Sequence, residues 1–323
     1  MFDFRMNSSI KLHAVSFDYG MKKLLEEFPD NTLGYVHSIF SKALNFSGKT
    51  GRLYSIVLSD VCNGPCTIRV DNKQLTNLKD SEISIGERVR FDKDKIEIGT
   101  KLTIDLVGAC LWTPQALRIT REAFGSFKEN LKIYDQCLLL KGASGGAKYF
   151  YMSRFMEPSC QVKASPVEAE LSKRIGLFLD SIMLKENNLQ QRVNSLIGFG
   201  NGLTPSGDDF LSGLNIFLYH FKTEDEGCLL KKIENILCSQ ELSTTDVSRS
   251  MLYASLEGMA AESALDFMEA LLYKDKAAFA KAANKLFAIG SSSGTDISVG
   301  IITAARFGFN FLYKTGEVSI YQI

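Results

Sequence analysis

Between residues 34 and 112 apolar side chains recur at every second position in short runs. The runs are Gly34-Tyr-Val-His-Ser-Ile-Phe, Arg52-Leu-Tyr-Ser-Ile-Val-Leu, Cys66-Thr-Ile-Arg-Val, Arg88-Val-Arg-Phe, Lys95-Ile-Glu-Ile and Leu102-Thr-Ile-Asp-Leu. A period of two with β-branched residues is the pattern of half-buried strands. Asn63-Gly64-Pro65 and Ile85-Gly86-Glu87 mark turns between them. The segment predicts a small antiparallel barrel or sandwich.

The period then changes. Leu117, Phe124, Phe127 and Leu131 fall at helical spacing. From Ser165 onward the pattern is helical almost throughout. Ser165-Pro166-Val167-Glu168 reads as a capping box with proline at the first helical position, and Leu171, Ile175 and Phe178 follow on one face. Residues 210–218 are apolar nearly all round, which predicts a buried helix. Phe279, Ala283, Leu286 and Phe287 place another helix over 276–289, closed by Gly290. Ile297, Ile301, Ile302 and Ala305 predict a further buried helix, capped by Thr295 or Asp296. Gly300 and Ala304 would let a neighbour pack close to it. Gly142-Ala-Ser-Gly145-Gly146 reads either as a flexible break or as a glycine-rich loop near a site. Lys222–Gly227 reads as a solvated loop, and no internal repeat of fixed period stands out. The fold class expected is α+β. A β-rich domain spans 1–114, a helical connection with the glycine-rich break spans 115–164, and an α-helical domain spans 165–323.

With 323 residues there is chain enough for two separate cores. Lys+Arg and Asp+Glu both number 37, and no basic block is interleaved with aromatics, which argues against nucleic acid as a partner. No apolar run reaches membrane-spanning or signal-peptide length, so a cytoplasmic location is expected. Seven scattered cysteines read as reduced thiols, and Cys62 and Cys66 lack the second pair that a zinc site needs. With His13, His37 and His220 as the only histidines, a histidine-rich metal centre is excluded. His220, in an apolar helical run, reads as a satisfied core residue, and His37 likewise.

The chemistry concentrates in Gly198-Phe-Gly-Asn-Gly202-Leu-Thr204-Pro205-Ser206-Gly207-Asp208-Asp209-Phe-Leu-Ser-Gly213. Alternating glycines permit positive φ and close approach to a ligand. Thr204 reads as the cap of the buried helix, with Pro205 at its first position. There is no Gly-Lys-Ser/Thr ending, so this is not a P-loop, and Leu203 stands where a dinucleotide fingerprint needs glycine. Two further polar helix starts follow, Ser243-Thr244-Thr245-Asp246-Val247-Ser248 and Gly290-Ser-Ser-Ser293-Gly294-Thr295-Asp296. Converging helix N-termini would favour an anion, so the three loops are expected to line one pocket. Gly200, Gly202, Thr204, Ser206, Gly207, Thr244, Ser248, Ser293 and Gly294 are the candidate substrate-binding residues. Asp208, Asp209 and Asp296 are the candidate catalytic carboxylates. Asp208 and Asp209 are also the candidate ligands of Mg²⁺, the cofactor such a site would suit. Adjacent aspartates point roughly 100° apart on a helix, so one of the two is expected to face the ligand.

These motifs resemble the AllH family, once catalogued only as a domain of unknown function. The resemblance rests on Gly-Leu-Thr-Pro-Ser-Gly-Asp-Asp at 202–209, Thr-Thr-x-x-Ser at 244–248 and Ile-Gly-x-x-Ser-Gly-x-Asp at 289–296. Val36-His37-Ser38-Ile39-Phe40, Asn45-Phe46 and Gly51-Arg52-Leu53 add to it near the N-terminus. It implies a subunit associated with oxamate carbamoyltransferase in anaerobic allantoin breakdown. Such a subunit would act in carbamoyl transfer between oxamate and a carbamoyl-phosphate system, together with two other subunits. The alternative from the residues is a non-catalytic subunit that binds a small anion or serves the assembly, since no nucleophile–base pair stands out.

Overall fold

In a computed structural model the chain divides into two compact units, 1–114 and 115–323. The structure describes residues 9–27, 32–48, 51–92, 94–115, 117, 119, 124–157, 163–184, 187–221 and 224–313. The side chains of 224–228 and 309–313 are outside that description.

The first unit is a closed barrel. Its elements are β1 (Ile10–Asp18), α1 (Tyr19–Glu27), β2 (Thr32–Ile39), β3 (Ala43–Gly48), β4 (Leu53–Leu58), β5 (Thr67–Val70), β6 (Arg88–Asp92), β7 (Lys95–Ile98), β8 (Leu102–Asp105) and β9 (Cys110–Trp112). The order is β5-β4-β3-β2-β6-β7-β8-β1-β9, and a β5–β1 pairing closes eight strands into a ring with β9 outside it on β1. The expected antiparallel arrangement holds only in part. β1 runs parallel to β8 and β9, and β4 runs parallel to β5. The β4–β5 pair is parallel because the chain crosses over between them through 59–66, and the other two come from β1, which begins well before the first run read as a strand and inserts between β8 and β5. Its Leu12 and Ala14 point inward with Phe46, Ile56, Ile68, Val89, Ile96 and Ile104. Buried Asp18 ends the strand. Its carboxylate accepts from the N–H groups of Gly20 and Met21, which starts α1, and from those of Cys66 and Thr67, which anchors β5.

The second unit is helical: α2 (Phe127–Lys141), α3 (Lys148–Phe155), α4 (Pro166–Met183), α5 (Leu189–Leu196), α6 (Ser206–Phe221), α7 (Glu224–Cys238), α8 (Asp246–Leu256), α9 (Glu262–Tyr273), α10 (Lys276–Phe287) and α11 (Ser293–Tyr313). The α+β class is thus a barrel followed by a helical unit. The capping box at the start of α4 forms as read, Ser165 and Glu168 bonding each other's backbone. Of the segment read as a solvated loop, residues 224–227 open α7, and 222 and 223 lie outside the described residues.

Two helices make the centre of this unit. α6 is buried from Ser206 to Leu218, and α11 is buried at Val299, Ile301, Ile302, Ala304 and Ala305. They cross at Gly213 and Gly300. A Cβ on Gly213 would drive into the carbonyl of Ile297, and one on Gly300 into the carbonyl of Phe210. Phe210 and Ile297 hold equivalent places in two copies of one short motif. Ser206-Gly207-Asp208-Asp209-x-x-x-Gly213 opens α6, and Ser293-Gly294-Thr295-Asp296-x-x-x-Gly300 opens α11 at identical spacing. The first glycine of each copy behaves alike as well: Gly207 abuts the Leu196 carbonyl at the end of α5, and Gly294 the Leu286 carbonyl near the end of α10. The starts of α6 and α11 thus meet through reciprocal backbone contacts at their crossing. The match is a short motif occurring twice, not a repeat of fixed period.

Candidate functional site

The three loops read from the sequence do meet. Thr244 Oγ and Ser248 Oγ donate to Asp208 Oδ2 at 2.5 and 2.7 Å. Thr245 caps α8 by accepting from the Ser248 N–H, and its own hydroxyl donates to the Leu203 carbonyl at 2.5 Å. Thr204 Oγ and Ser293 Oγ share a hydrogen bond of 2.7 Å. This joins the start of α6 to those of α8 and α11. A fourth segment, the Gly142–Gly146 stretch, packs against the start of α11. The Ala147 N–H donates to Asp296 Oδ1 at 2.6 Å, and the Ala143 N–H donates to Thr295 Oγ at 3.0 Å. Gly146 lies so close over the Asp296 carboxylate that a Cβ there would strike it. The Gly145 N–H donates to Glu168 Oε1. Burial works against the Glu168 charge, but the N–H groups of Ser165 and Gly145 hold its carboxyl below the usual range.

The helix starts differ slightly from expectation. α6 begins at Ser206, and the Pro205 carbonyl accepts the first helical bond from Asp209. Thr204 is therefore free of a capping duty and bonds Ser293 instead. α11 begins at Ser293, which puts Thr295 and Asp296 inside its first turn rather than at its cap.

The aspartates divide by role. Asp208 is committed to the protein: Oδ1 accepts from the Gly198 N–H at 2.8 Å, and Oδ2 takes the two hydroxyls above. Burial still raises its carboxyl pKa against the pull of those donors. Asp209 and Asp296 are 4% and 0% exposed, and the Oδ2 atom of each has no hydrogen-bond partner. Burial lifts the Asp209 pKa well above the ordinary range, the charge of Asp296 adds to the lift, and the Ser293 and Thr204 hydroxyls oppose it. Those two hydroxyls bond each other rather than closing on Oδ2. Burial pushes Asp296 up to about 6, against the Ala147 N–H and the hydroxyls of Ser206 and Ser292. Two buried carboxylates that repel each other will take up a proton or a cation. Among the described residues no group of three or more His, Cys, Asp or Glu is arranged to hold a metal ion. A cation here would rest on Asp209 and Asp296 and take its other oxygens from water or substrate.

The remaining candidates fall into two sets. Thr204, Ser206 and Ser293 surround the Asp209–Asp296 pair, while Gly202, with φ +98°, faces open space at the rim. Gly200 takes φ +129° and lies against the Ser206 N–H. Gly207 and Gly294 serve packing instead, since their N–H groups bond the Phe199 and Ile289 carbonyls. Thr244 and Ser248 are spent on Asp208. The Gly146 approach and the Asp209–Asp296 pairing were missed. The matched Ser-Gly-x-Asp copies were the signal that could have found the pairing. His220 is held within the fold as expected, its two ring nitrogens each 3.2 Å from a carbonyl, of Leu117 and Gly258, to one of which the N–H of the neutral ring donates.

Two family profiles match the chain. "AllH family N-terminal domain" covers residues 13–111, and "Oxamate carbamoyltransferase subunit AllH" covers residues 196–305. The chain belongs to the AllH family. The first match takes in the barrel and the second runs from the end of α5 through most of α11. In this AllH chain both Ser-Gly-x-Asp copies and the α8 start fall inside the second match, whereas the Gly142–Gly146 loop lies outside both. No solved structure matches it significantly. No helix among its described residues is long and apolar enough to cross a membrane.

Proposed function

We propose that this AllH chain binds a small carboxylate- or phosphate-bearing molecule in its helical unit. It acts there as a subunit in carbamoyl transfer between oxamate and carbamoyl phosphate, in cytoplasmic nitrogen metabolism of the allantoin type, with two other subunits. The observation that carries the reading is the meeting of four polar loops around the partnerless Asp209 and Asp296 oxygens. In such a transfer the oxamate nitrogen bonds the carbamoyl carbon and loses a proton, while the carbon–oxygen bond breaks and phosphate leaves with its electron pair. Fixed donors and orientation supply the main help for a reaction of this kind. Thr204, Ser206 and Ser293 would donate to substrate oxygens. Asp209 and Asp296 would orient it, and Asp208, Thr244 and Ser248 would hold the loops in place.

A second reading is favoured by the place of the helical unit's one histidine: His220 lies in the last turn of α6, eleven residues or about 16 Å along the helix from Asp209, too far to serve there as a base. The chain would then bind ligand while partner subunits carry out the transfer. The test is oxamate-dependent phosphate release from carbamoyl phosphate by the purified chain, alone and mixed with the partner subunits. Release by the chain alone supports catalysis here; release only in the mixture, lost with Asp209→Asn, supports the binding role. Release in the mixture that Asp209→Asn and Asp296→Asn leave unchanged refutes both.

A further inference from the structure

The two copies of the motif share a design. In each Ser-Gly-x-Asp copy the third position grips a neighbouring loop: Asp208 accepts from the Gly198 N–H and Thr295 from the Ala143 N–H. That position is Asp in one copy and Thr in the other, so a charge is not what it requires. The fourth position is Asp in both. The serines cross over, Ser293 of the α11 copy acting on Asp209 and Ser206 of the α6 copy acting on Asp296. Both carboxylates keep one oxygen without a partner although they are almost fully buried. A buried carboxylate oxygen left bare in a protein costs free energy unless a ligand meets it.

We propose that Asp209 and Asp296, on the helix starts that the Thr204–Ser293 hydrogen bond joins and each with a buried partnerless Oδ2, form a two-carboxylate site for a divalent cation of the Mg²⁺ type. Water and the oxygens of the bound anion complete its coordination. Mg²⁺ is held in this way in many phosphate-handling sites, by one or two carboxylates plus substrate oxygens. The cation neutralises the two like charges and bridges them to an anion that they would otherwise repel. This assignment rests on the anion-binding reading above, and it moves the cation from Asp208–Asp209 on one helix to Asp209–Asp296 on two. Asp208 is excluded because its oxygens already hold three donors.

The test is calorimetric titration of Mn²⁺ and Mg²⁺ into the metal-stripped full chain with inorganic phosphate present, without carbamoyl phosphate or partners. One site per chain is expected. Asp209→Asn and Asp296→Asn should each weaken it by about tenfold or more, since even outer-shell changes cost that much. Mn²⁺ paramagnetic resonance on the wild type provides a check that needs no variant: the bound spectrum should appear at one equivalent and be displaced by Mg²⁺. Absence of saturable binding, or binding unchanged in both variants, overturns the site and leaves the two carboxylates sharing a proton. If oxamate-dependent phosphate release persists in excess chelator, the cation site falls while the carbamoyl-transfer reading stands. If Mn²⁺ binds at the pair and no transfer occurs in any mixture, the reverse holds.

Discussion

Gly300→Ala and Gly176→Ala are the same change in the same kind of place, a helix interior, and the structure predicts opposite signs. Alanine is favoured over glycine in a helix by about 1 kcal/mol, and this gain applies to both. At Gly176 in α4 nothing lies within 4 Å of the added methyl, so the gain stands alone. At Gly300 the methyl meets the Phe210 carbonyl, with the Leu214 N–H nitrogen at 2.9 Å and Gly213 Cα at 3.1 Å. All three are backbone atoms of α6 and cannot rotate away. Relief requires α6 and α11 to separate, at about 1–3 kcal/mol for overpacking of this kind and more where backbone is the obstacle. The net expectation is a stabilisation of about 0.5–1 kcal/mol for Gly176→Ala and a loss of about 1–2 kcal/mol for Gly300→Ala. Gly213→Ala should cost a similar amount, because its methyl would meet the Ile297 carbonyl and Cα, backbone atoms of α11. The double variant should cost less than the sum, since one separation of the helices relieves both clashes. Urea denaturation of the full chain followed by far-ultraviolet circular dichroism is the assay. Fluorescence of Trp112 reports on the barrel, because the chain's one tryptophan sits at the end of β9. Equal stability of the two single variants, or strict additivity of Gly213→Ala and Gly300→Ala, would refute the reciprocal crossing.

Three further outcomes are expected. Asp208→Ala leaves the Gly198 N–H and the Thr244 and Ser248 hydroxyls unpaired and should cost about 2–4 kcal/mol; thermal melts measure it. Asp209→Asn should melt at or above the wild-type temperature yet lose the shift that carbamoyl phosphate and Mg²⁺ give the wild type. Equal ligand-induced shifts would leave Asp209 a purely structural role. Asp135 accepts from the Tyr151 hydroxyl at 2.8 Å, and burial raises its pKa against Tyr151 and Arg306. A raised carboxyl stabilises the fold below its unfolded pKa, and that contribution is lost as pH rises through the folded value. The stability of Asp135→Asn relative to wild type should therefore improve from pH 3.5 toward neutrality, and a difference that falls over that range would sink the argument (pH values of about the ordinary carboxylate range upward).

The glycines show where sequence reading stopped. Their density marked 198–213 as unusual, and the reason first given was approach to a ligand. The structure divides them: Gly202 faces open space, Gly200 closes on the start of α6, and Gly207 and Gly213 let helices touch backbone to backbone. A glycine that makes room for a substrate and one that makes room for a helix look alike in a chain, because both are defined by a partner distant in sequence. The same holds for the aspartates. That one of Asp208 and Asp209 would face a ligand followed from helical geometry, but which one depended on where Thr244 and Ser248 lie.

Local physics was enough for the rest. The change from a two-residue to a helical period set the boundary between β and α regions, the capping box fixed the start of α4, and unbroken apolarity placed α6 in the core. Those features act between residues a few positions apart, so the sequence alone determined them. Closure of the barrel by β1, the crossing of α6 and α11, and the hold of Thr244 and Ser248 on Asp208 join residues far apart in the chain. Only the tertiary structure decided them, because what selects each one is the fit of one backbone against another.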